Sequence, residues 1–503
     1  MADDSLTRMT IIGTGWMMGW RMLTRVLGLA STLILARLLM PADFGIVAMA
    51  AIFSSIVGAF SELGIGAALV RHPRRDRSLF DTAWTLQVIR ALLIGGLLVA
   101  LAPVAVWWFA EPRLFVLMLI LAGCTLLNGL GNIGIVEFQR DMRFDRSFRV
   151  QAVPRLLQVV ATICCALLLR NYWALIIGVV TGSVARLAVS YLFHSYRPRL
   201  RLAEWREFVH FSLWTWASSL AGLVWSRCDW FLLGPVIGPA GLGLYMLALE
   251  TAVLPVSELI APAGDVLFAG FAEAQRRGNT AHLATRVATT LLLFSAPVTI
   301  AISASASHVV AALLGAQWAA AQPLIAILAW QCLFSPFSYV CSQFLVAKGL
   351  VRMNFFGTLL AAAIKLTATL AVIALTHDLS VISLIVTLVV AAEATIFLVM
   401  LRLAGETGFR ANLGGLLRIL IAGAVTVGVL LVTGLGWQGG LHPPATALLL
   451  AAAIGGVSVA GFALANLGLW QLVGRPDGPE RQLLDVLGRF IRLRRPRVQQ
   501  SAP

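Results

Sequence analysis

Long apolar runs follow one another along almost the whole chain, and they constrain the fold more than any other feature. Fourteen runs are long enough for a membrane-spanning helix, which needs roughly 20 apolar residues. They lie near residues 11–39, 44–70, 81–108, 114–136, 150–169, 172–194, 207–234, 242–268, 284–303, 321–347, 354–376, 379–401, 415–435 and 444–473. Only 12% of the residues are charged, whereas soluble domains have roughly 25%. The sequence therefore predicts an all-α integral membrane protein with about 14 transmembrane helices.

Arginine and lysine are concentrated in every second connection between these runs. Basic clusters at 71–77, 140–149 and 197–206 lie on one side, whereas the opposite connections contain only Arg113 and Arg170. Because positively charged connections stay in the cytoplasm, we expect both termini to be cytoplasmic. The net charge of +15 is then explained by orientation and by contact with anionic membrane lipids, so no nucleic-acid partner is expected.

A short turn sequence occurs twice and indicates an internal repeat. Pro41, Ala42, Gly45 and Ala50 correspond to Pro239, Ala240, Gly243 and Ala248. A proline and a glycine four residues apart, between two apolar runs, predict a tight turn between two membrane helices. We therefore expect two six-helix lobes related by a parallel pseudo-twofold repeat, an arrangement in which two lobes rock about a central cavity.

The repeat divides the chain into four predicted segments. Residues 1–200 form the N-terminal lobe, 201–405 the C-terminal lobe, 406–475 two additional transmembrane helices, and 476–503 a basic cytoplasmic tail. Within the tail, Glu480–Arg497 has apolar residues on one helical face, so it is either an amphipathic helix on the membrane surface or a disordered basic segment.

Ionisable residues inside apolar runs are costly, and they tend to face a cavity or a partner. The first run has the clearest pattern, with polar, small and charged residues at helical spacing along one face. The members of this face are Thr14, Met18, Arg21, Arg25, Gly28 and Thr32. It predicts a cavity wall with Arg21 and Arg25 as anion-binding groups, or else a structural pairing of these arginines with carboxylates such as Glu62.

The corresponding face of the seventh run carries aromatic rings instead of charges. Adding 198 to the first set gives Ser212, Trp216, Ser219, Leu223, Ser226 and Trp230. Tryptophan rings stack on sugar faces and guanidinium groups bind phosphate, so Trp216 and Trp230 are candidate substrate-binding residues beside a cationic wall. Interfacial tryptophans are also common in membrane proteins of every kind.

The remaining deep charges have two interpretations each. Glu62, Glu258 and Glu393 either couple transport to an ion or proton or serve as structural partners, and Lys365 is either a third cation of the cavity or the salt-bridge partner of Glu393. Arg227 and Asp229 either take part in ion or proton coupling or form a structural ion pair. Three further arginines lie near the predicted cytoplasmic ends of their helices and are expected to reach the lipid headgroups: Arg90, Arg155 and Arg186.

Motifs of covalent chemistry and of metal or nucleotide binding are not found in the sequence. It has no P-loop, no HExxH and no GxSxG, so we expect no catalytic residue, no metal site, no cofactor and no enzyme activity. The predicted external connections are also short, whereas membrane enzymes that join glycans need a large external segment.

Several stretches resemble the polysaccharide-transport, or Wzx-like, flippases of the multidrug/oligosaccharidyl-lipid/polysaccharide exporter superfamily. They are Leu-Ala-Arg-Leu-Leu-Met-Pro-Ala-Asp-Phe-Gly-Ile-Val-Ala-Met-Ala (35–50), Glu-Leu-Gly-Ile-Gly-Ala-Ala-Leu-Val (62–70), Phe-Gln-Arg-Asp-Met-Arg-Phe (138–144), residues 229–245 and Leu-Leu-Gly-Ala-Gln-Trp (313–318). The chain departs from the family at 268–275, where a proline is usual after the phenylalanine.

The resemblance implies a two-lobed transporter of the bacterial inner membrane that works by alternating access. Its expected substrate is an undecaprenyl-diphosphate-linked oligosaccharide for lipopolysaccharide, capsule or exopolysaccharide synthesis, and its expected partners are membrane lipids and the polymerase and other assembly proteins. The resemblance also implies a cationic lumen, to which we expect Arg21, Arg25 and Lys365 to contribute by their position in the helices rather than by an invariant motif. Three alternatives are a multidrug exporter, for which a cationic face has the wrong sign, a polysaccharide polymerase or ligase, and a non-transporting scaffold.

Overall fold

The computed structural model is helical throughout the part of the chain that it describes. These residues are 2–59, 69–70, 72, 74, 76–208, 213–276, 283–405, 409–437, 443–476 and 480–481, and no β-strand occurs among them. The protein is therefore all-α, as predicted.

Six long helices precede residue 194. They are α1 (Ala2–Leu38), α2 (Pro41–Ala59), α3 (Arg77–Phe109), α4 (Arg113–Gly129), α5 (Phe144–Leu169) and α6 (Trp173–Phe193). After α4 the chain bends by 63° into two short helical turns, Ile133–Val136 and Glu137–Arg140.

The second half begins with a helix of 64 residues, and seven further helices follow it. They are α7 (Leu213–Arg276), α8 (Leu283–Ala304), α9 (Gln322–Leu328), α10 (Gln331–Ala347), α11 (Val351–Leu375), α12 (Leu379–Leu403), α13 (Phe409–Val432) and α14 (Pro444–Leu472). Short helical turns between Ala306 and Ala321 join α8 to α9.

Each of the fourteen predicted runs overlaps a helix, but the count of fourteen membrane spans is not confirmed. Within the described residues, ten helices are long and apolar enough to cross a membrane, or up to twelve if each bent pair is one span. Helix α1, which contains Arg21 and Arg25, is not among them, and residues 217–258 of α7 are counted once. The backbone of α7 nevertheless breaks at Gly238, where φ is 67°, a conformation that favours glycine.

The chain divides into two compact units, Met1–Met246 and Leu247–Pro503, and the division falls within α7. In the first unit, α5 packs on α1 and α6, α4 packs on α3 and α6, and α2 packs on α3 and α4. The helix crossings need small residues: a Cβ atom on Gly178 of α6 would lie 1.7 Å from Thr162 Oγ1 of α5. The predicted lobe boundaries at 200 and 405 stay a prediction.

The two copies of the repeated turn pack against each other within the first unit. A Cβ atom on Gly45 would lie 1.7 Å from the carbonyl oxygen of Pro239, and one on Gly243 would lie 1.9 Å from the carbonyl oxygen of Pro41. The two contacts are reciprocal, as expected when equivalent positions of a repeat meet across a twofold axis. The glycines are required because backbone occupies the space of a side chain.

The basic segment after α6 is held against the ends of the helices of the first unit. Its backbone donates hydrogen bonds along α3: Arg199 N to Asp81 Oδ1 (3.0 Å) and Arg201 N to Thr85 Oγ1 (2.9 Å). Tyr196 donates its hydroxyl to buried Asp81. The segment therefore belongs to the folded structure of the first unit.

The second unit contains the remaining helices and a buried ion pair. Helix α8 packs on α10, α13 and α14, and α12 packs on α10 and α11. Glu480, beyond α14, is buried and accepts a hydrogen bond from the guanidinium group of Arg418 in α13 (3.2 Å). The interpretation of 480–497 as a surface helix lies outside the described residues from 482 onward.

Candidate functional site

The face of α1 toward α5 carries aromatic rings next to its arginines. Trp16 and Trp20 lie about one turn apart on α1, and Phe148 of α5 packs against both, with ring centroids at 5.1 Å and 6.2 Å. Contacts of this kind add roughly 0.5–1.5 kcal/mol beyond burial and fix the orientation of the rings. This ring cluster anchors the N-terminal part of α1 to α5.

A cavity of about 400 Å³ lies beside the ring cluster, within the range of roughly 300–1,000 Å³ that is usual for ligand pockets. The residues that line it are Trp16, Trp20, Arg21, Val70, Gln139, Phe144, Ser147, Phe148 and Gln151. Arg21 and Trp16 are exposed, so a guanidinium group and an aromatic ring are both accessible here. The cavity combines a cation, flat rings and amide groups, which are the groups that bind phosphate and sugars.

Arg155 extends the cationic part of this face. Its Nη2 atom lies 3.7 Å from the position that a Cβ atom on Gly28 would occupy, and its Nη1 donates to Gln158 Oε1 (3.3 Å). Gly28 belongs to the same face of α1 as Arg21 and Arg25, and Arg155 is half-buried. Its guanidinium group therefore lies beside α1, and the expectation that Arg155 reaches the lipid headgroups stays a prediction. The absence of a side chain at Gly28 leaves the space for it.

The other members of the predicted face are partly exposed. Arg25 is exposed, Gly28 and Thr32 are half-buried, and the side chain of Thr14 lies outside the described residues. We name the surface formed by Trp16, Trp20, Arg21, Arg25, Phe148 and Arg155 the α1–α5 face. It combines the predicted arginines Arg21 and Arg25 with rings that the sequence analysis did not single out, whereas the predicted rings Trp216 and Trp230 belong to α7.

In α7, the predicted candidates Arg227 and Asp229 contact different partners. The guanidinium group of Arg227 stacks on the ring of Trp230, 4.3 Å from its centroid, and Asp229 is fully buried and accepts a hydrogen bond from the hydroxyl of Tyr245 (2.9 Å). These contacts give each charged residue a partner other than its sequence neighbour. The side chain of Trp216 lies outside the described residues.

The remaining candidates belong to the second unit or are not described. Lys365 of α11 and Glu393 of α12 are both buried, and they are close enough for an electrostatic interaction. Glu258 is half-buried in α7, and Glu62 lies outside the described residues. Among the described residues no cluster of three or more histidine, cysteine or acidic side chains could hold a metal ion.

Solved structures of transporters share this fold. The lipid II flippase MurJ in an inward-closed conformation superposes with a TM-score of 0.68 at 13% identity, covering 90% of this chain and 98% of that chain. An inward-facing multidrug transporter of the MATE family of the MOP superfamily gives a TM-score of 0.54 at 16% identity, covering 78% and 94%. The chain therefore shares the fold of these two transporters, and its many apolar helices make it a multi-pass membrane protein.

The sequence comparison then gives the family. The profile of the polysaccharide biosynthesis protein family matches residues 34–323, so the chain belongs to that family. The resemblance found in the sequence is confirmed.

Two relatives have names that describe transport or polysaccharide synthesis. The succinoglycan biosynthesis transport protein ExoT of Rhizobium meliloti (strain 1021) is 26% identical over 62% of this chain, and the match spans 64% of ExoT, less than two thirds of its length. The lipopolysaccharide biosynthesis protein WzxC of Escherichia coli (strain K12) is 22% identical over 70% of this chain and 72% of its own length.

Proposed function

We propose that this protein is a flippase that moves undecaprenyl-diphosphate-linked oligosaccharide units across the bacterial inner membrane. The α1–α5 face is the observation that carries the proposal, because it places exposed arginines beside aromatic rings and a cavity in a helix bundle. Membership of the polysaccharide biosynthesis family and the name of ExoT support the substrate class.

The proposed mechanism assigns a role to each type of side chain. The diphosphate pairs with Arg21, Arg25 and Arg155, since guanidinium groups bind phosphate oxygens with two parallel hydrogen bonds. The sugar rings lie against Trp16 and Trp20, and the polyprenyl chain stays in the lipid. Alternating access of the two predicted lobes then exposes the oligosaccharide to the other side of the membrane. No covalent step and no cofactor are part of the mechanism.

The orientation and the partners belong to the proposal as well. Both termini face the cytoplasm, in agreement with the basic segments at 140–149 and 197–206. The product is used on the outer face by a polymerase or another assembly protein for lipopolysaccharide, capsule or exopolysaccharide. A multidrug exporter, which the MATE-like fold also allows, would recognise cations, and the arginines of the α1–α5 face would repel them.

Polymer export in a strain that lacks the chromosomal gene tests the proposal. We expect that the double variant Arg21→Gln/Arg25→Gln, at normal protein level, loses most polymer output and accumulates the lipid-linked unit on the cytoplasmic side. Trp16→Leu is expected to reduce output several-fold, because stacking on each ring contributes about 1 kcal/mol.

Two matched controls separate the site from general damage to the protein. Trp107 is 76% exposed on α3 and is not part of the α1–α5 face, so Trp107→Leu keeps normal output. Arg276 lies on the protein surface, paired with Glu273, and Arg276→Gln also keeps normal output. Unchanged polymer output from Arg21→Gln/Arg25→Gln would contradict the proposed role of these arginines.

A further inference from the structure

A second cationic cavity lies in the first unit, away from the α1–α5 face. It has a volume of about 380 Å³ and lies where α3, α4 and α6 meet at the end of α4. The polar side chains that line it are Gln87, Arg90, Thr125, Asn128, Asn132, Arg186 and Ser190. Two of these carry positive charge and none is acidic. An arginine inside a membrane-spanning helix costs a few kcal/mol unless it faces a cavity or a partner.

Both arginines lie in the cytoplasmic half of their predicted membrane spans. Arg186 is 13 residues after Trp173, the start of α6, or roughly 20 Å along the helix, and Arg90 is 19 residues before Phe109, the end of α3, or roughly 28 Å. The hydrocarbon core is roughly 30 Å thick. Both guanidinium groups are therefore within reach of the predicted cytoplasmic headgroups.

The open carbonyl groups at the end of α4 do not require Arg186. Gln87 Nε2 already donates to the carbonyl oxygens of Gly129 (2.9 Å) and Gly131 (3.3 Å), which are the acceptors that the break in the helix leaves open. Arg186 is exposed, and no hydrogen bond or ion pair joins it to another residue in the described part of the chain. An anion at the cavity would supply that partner.

The surroundings of the cavity favour a lipid as the source of the anion. Leu92 and Leu93 of α3 are 56% and 70% exposed, and Val184 of α6, two residues before Arg186, is 49% exposed. In a membrane protein such residues contact acyl chains. A headgroup phosphate in the cavity would leave its acyl chains along these apolar surfaces, whereas free phosphate would make no use of them.

We propose that this cavity binds the phosphate of an anionic membrane lipid, with Arg90 and Arg186 as the cationic groups. Basic pockets between transmembrane helices on the cytoplasmic side bind lipid headgroups in this way. The site is separate from the α1–α5 face and does not depend on the proposed transport function.

Lipid retention by the purified full-length protein tests the proposal. Phosphatidylglycerol or phosphatidylcholine is added to each purified protein in detergent, and the bound lipid is counted by native mass spectrometry. The proteins compared are the wild type, Arg90→Gln/Arg186→Gln, Arg90→Lys/Arg186→Lys and the control Arg276→Gln. We expect phosphatidylglycerol to be retained in preference to phosphatidylcholine by the wild-type protein and by the control. The affinity should fall about fivefold for each arginine replaced by glutamine, and the lysine pair should keep most of it.

A competition experiment distinguishes a lipid from a free anion. Excess inorganic phosphate is expected to leave phosphatidylglycerol bound. Equal retention of phosphatidylglycerol by the wild-type and glutamine variants, or its full displacement by inorganic phosphate, would overturn the proposal. If the double glutamine variant does not fold, the single variant Arg186→Gln is used, and phosphatidylglycerol should raise its melting temperature less than that of the wild-type protein.

Discussion

Arg155 occupies a position at which a charged side chain of α5 lies beside Gly28 of α1. Its guanidinium group lies against Gly28 and is oriented by Gln158. Gly28 shares its face of α1 with Arg21 and Arg25, so an anion bound at that face would lower the repulsion among the three positive charges. We therefore propose Arg155 as a third arginine of the diphosphate site, together with Arg21 and Arg25.

We expect Arg155→Gln to reduce transport about tenfold, because one charge-assisted contact with the diphosphate is lost. Arg155→Lys should retain part of the activity, since lysine keeps the charge but not the planar geometry. The rate of polymer export at normal protein level is the measurement. Arg113→Gln is the matched control, because Arg113 is paired with Glu111 at the start of α4 (2.7 Å). Equal export by Arg155→Gln and Arg113→Gln would contradict the assignment.

Tyr196 of the basic segment donates a hydrogen bond to Asp81 of α3. Burial of the phenol raises the pKa of Tyr196 above its ordinary value of 10.0, and the hydrogen bond that it donates to Asp81 acts in the same direction. Because the pKa is higher in the folded chain than in the unfolded chain, the resulting stability is complete below pH 10.0 and is lost as the pH rises through the folded value.

Tyr196→Phe is therefore expected to lower the free energy of unfolding by about 1–2 kcal/mol at neutral pH, since buried Asp81 loses a donor. The difference between variant and wild type should decrease above pH 10.0. Thermal unfolding in detergent across this pH range is the measurement. Tyr191→Phe is the comparison, because Tyr191 donates to the carbonyl oxygen of Leu130 rather than to a carboxylate. A difference that does not change with pH would contradict the titration of Tyr196.

At the scale of elements, the repeated turn is the feature that most depends on backbone contact. Gly45 and Gly243 each face the carbonyl group of the other copy's proline, at distances where a methyl group cannot fit. Overpacking of this kind typically costs about 1–3 kcal/mol. Alanine at either glycine must therefore separate the two turns.

We expect Gly45→Ala and Gly243→Ala each to lower the melting temperature. The double variant should lose less stability than the two single variants added together, because moving the two turns apart once relieves both close contacts. Gly222→Ala is the control: no atom lies within 4 Å of the position that its added methyl group would occupy, so helix propensity should leave stability unchanged or slightly raised. If Gly222→Ala lowered the melting temperature as much as Gly45→Ala, the close contact at Gly45 would not be the cause of the lower stability.

The sequence predicts the elements well and the site only in part. Apolar runs of about 20 residues determine which stretches are helical, so every predicted run overlaps a helix, although the runs near 207–234 and 242–268 both lie in α7. The place of Arg155 could not be predicted, because it depends on the contact between α1 and α5 and not on the position of the residue in its own helix. Phe148 was missed for the same reason, since its partners Trp16 and Trp20 are far away in the sequence.

At the scale of the whole molecule, ten to twelve of the described helices or bent helix pairs can cross the membrane, and α1 is not among them. Hydropathy treats residues 217–258 as one span, although Gly238 breaks the helix, and it omits α1. An α1 that crosses the membrane with Arg21 and Arg25 exposed is stable only if those charges face water, protein or an anionic ligand. The low apolarity of α1 is therefore consistent with its proposed role in the transport site.

Transport of a lipid-linked oligosaccharide in a reconstituted system tests the central claim most directly. Purified protein is placed in vesicles that carry an undecaprenyl-diphosphate oligosaccharide, and access of an external lectin to the sugar measures how much has crossed. We predict that wild-type protein and Arg276→Gln expose the sugar, and that the triple variant Arg21→Gln/Arg25→Gln/Arg155→Gln remains at the level of protein-free vesicles. Exposure by the triple variant at the wild-type rate would contradict the assignment of the α1–α5 face as the substrate site.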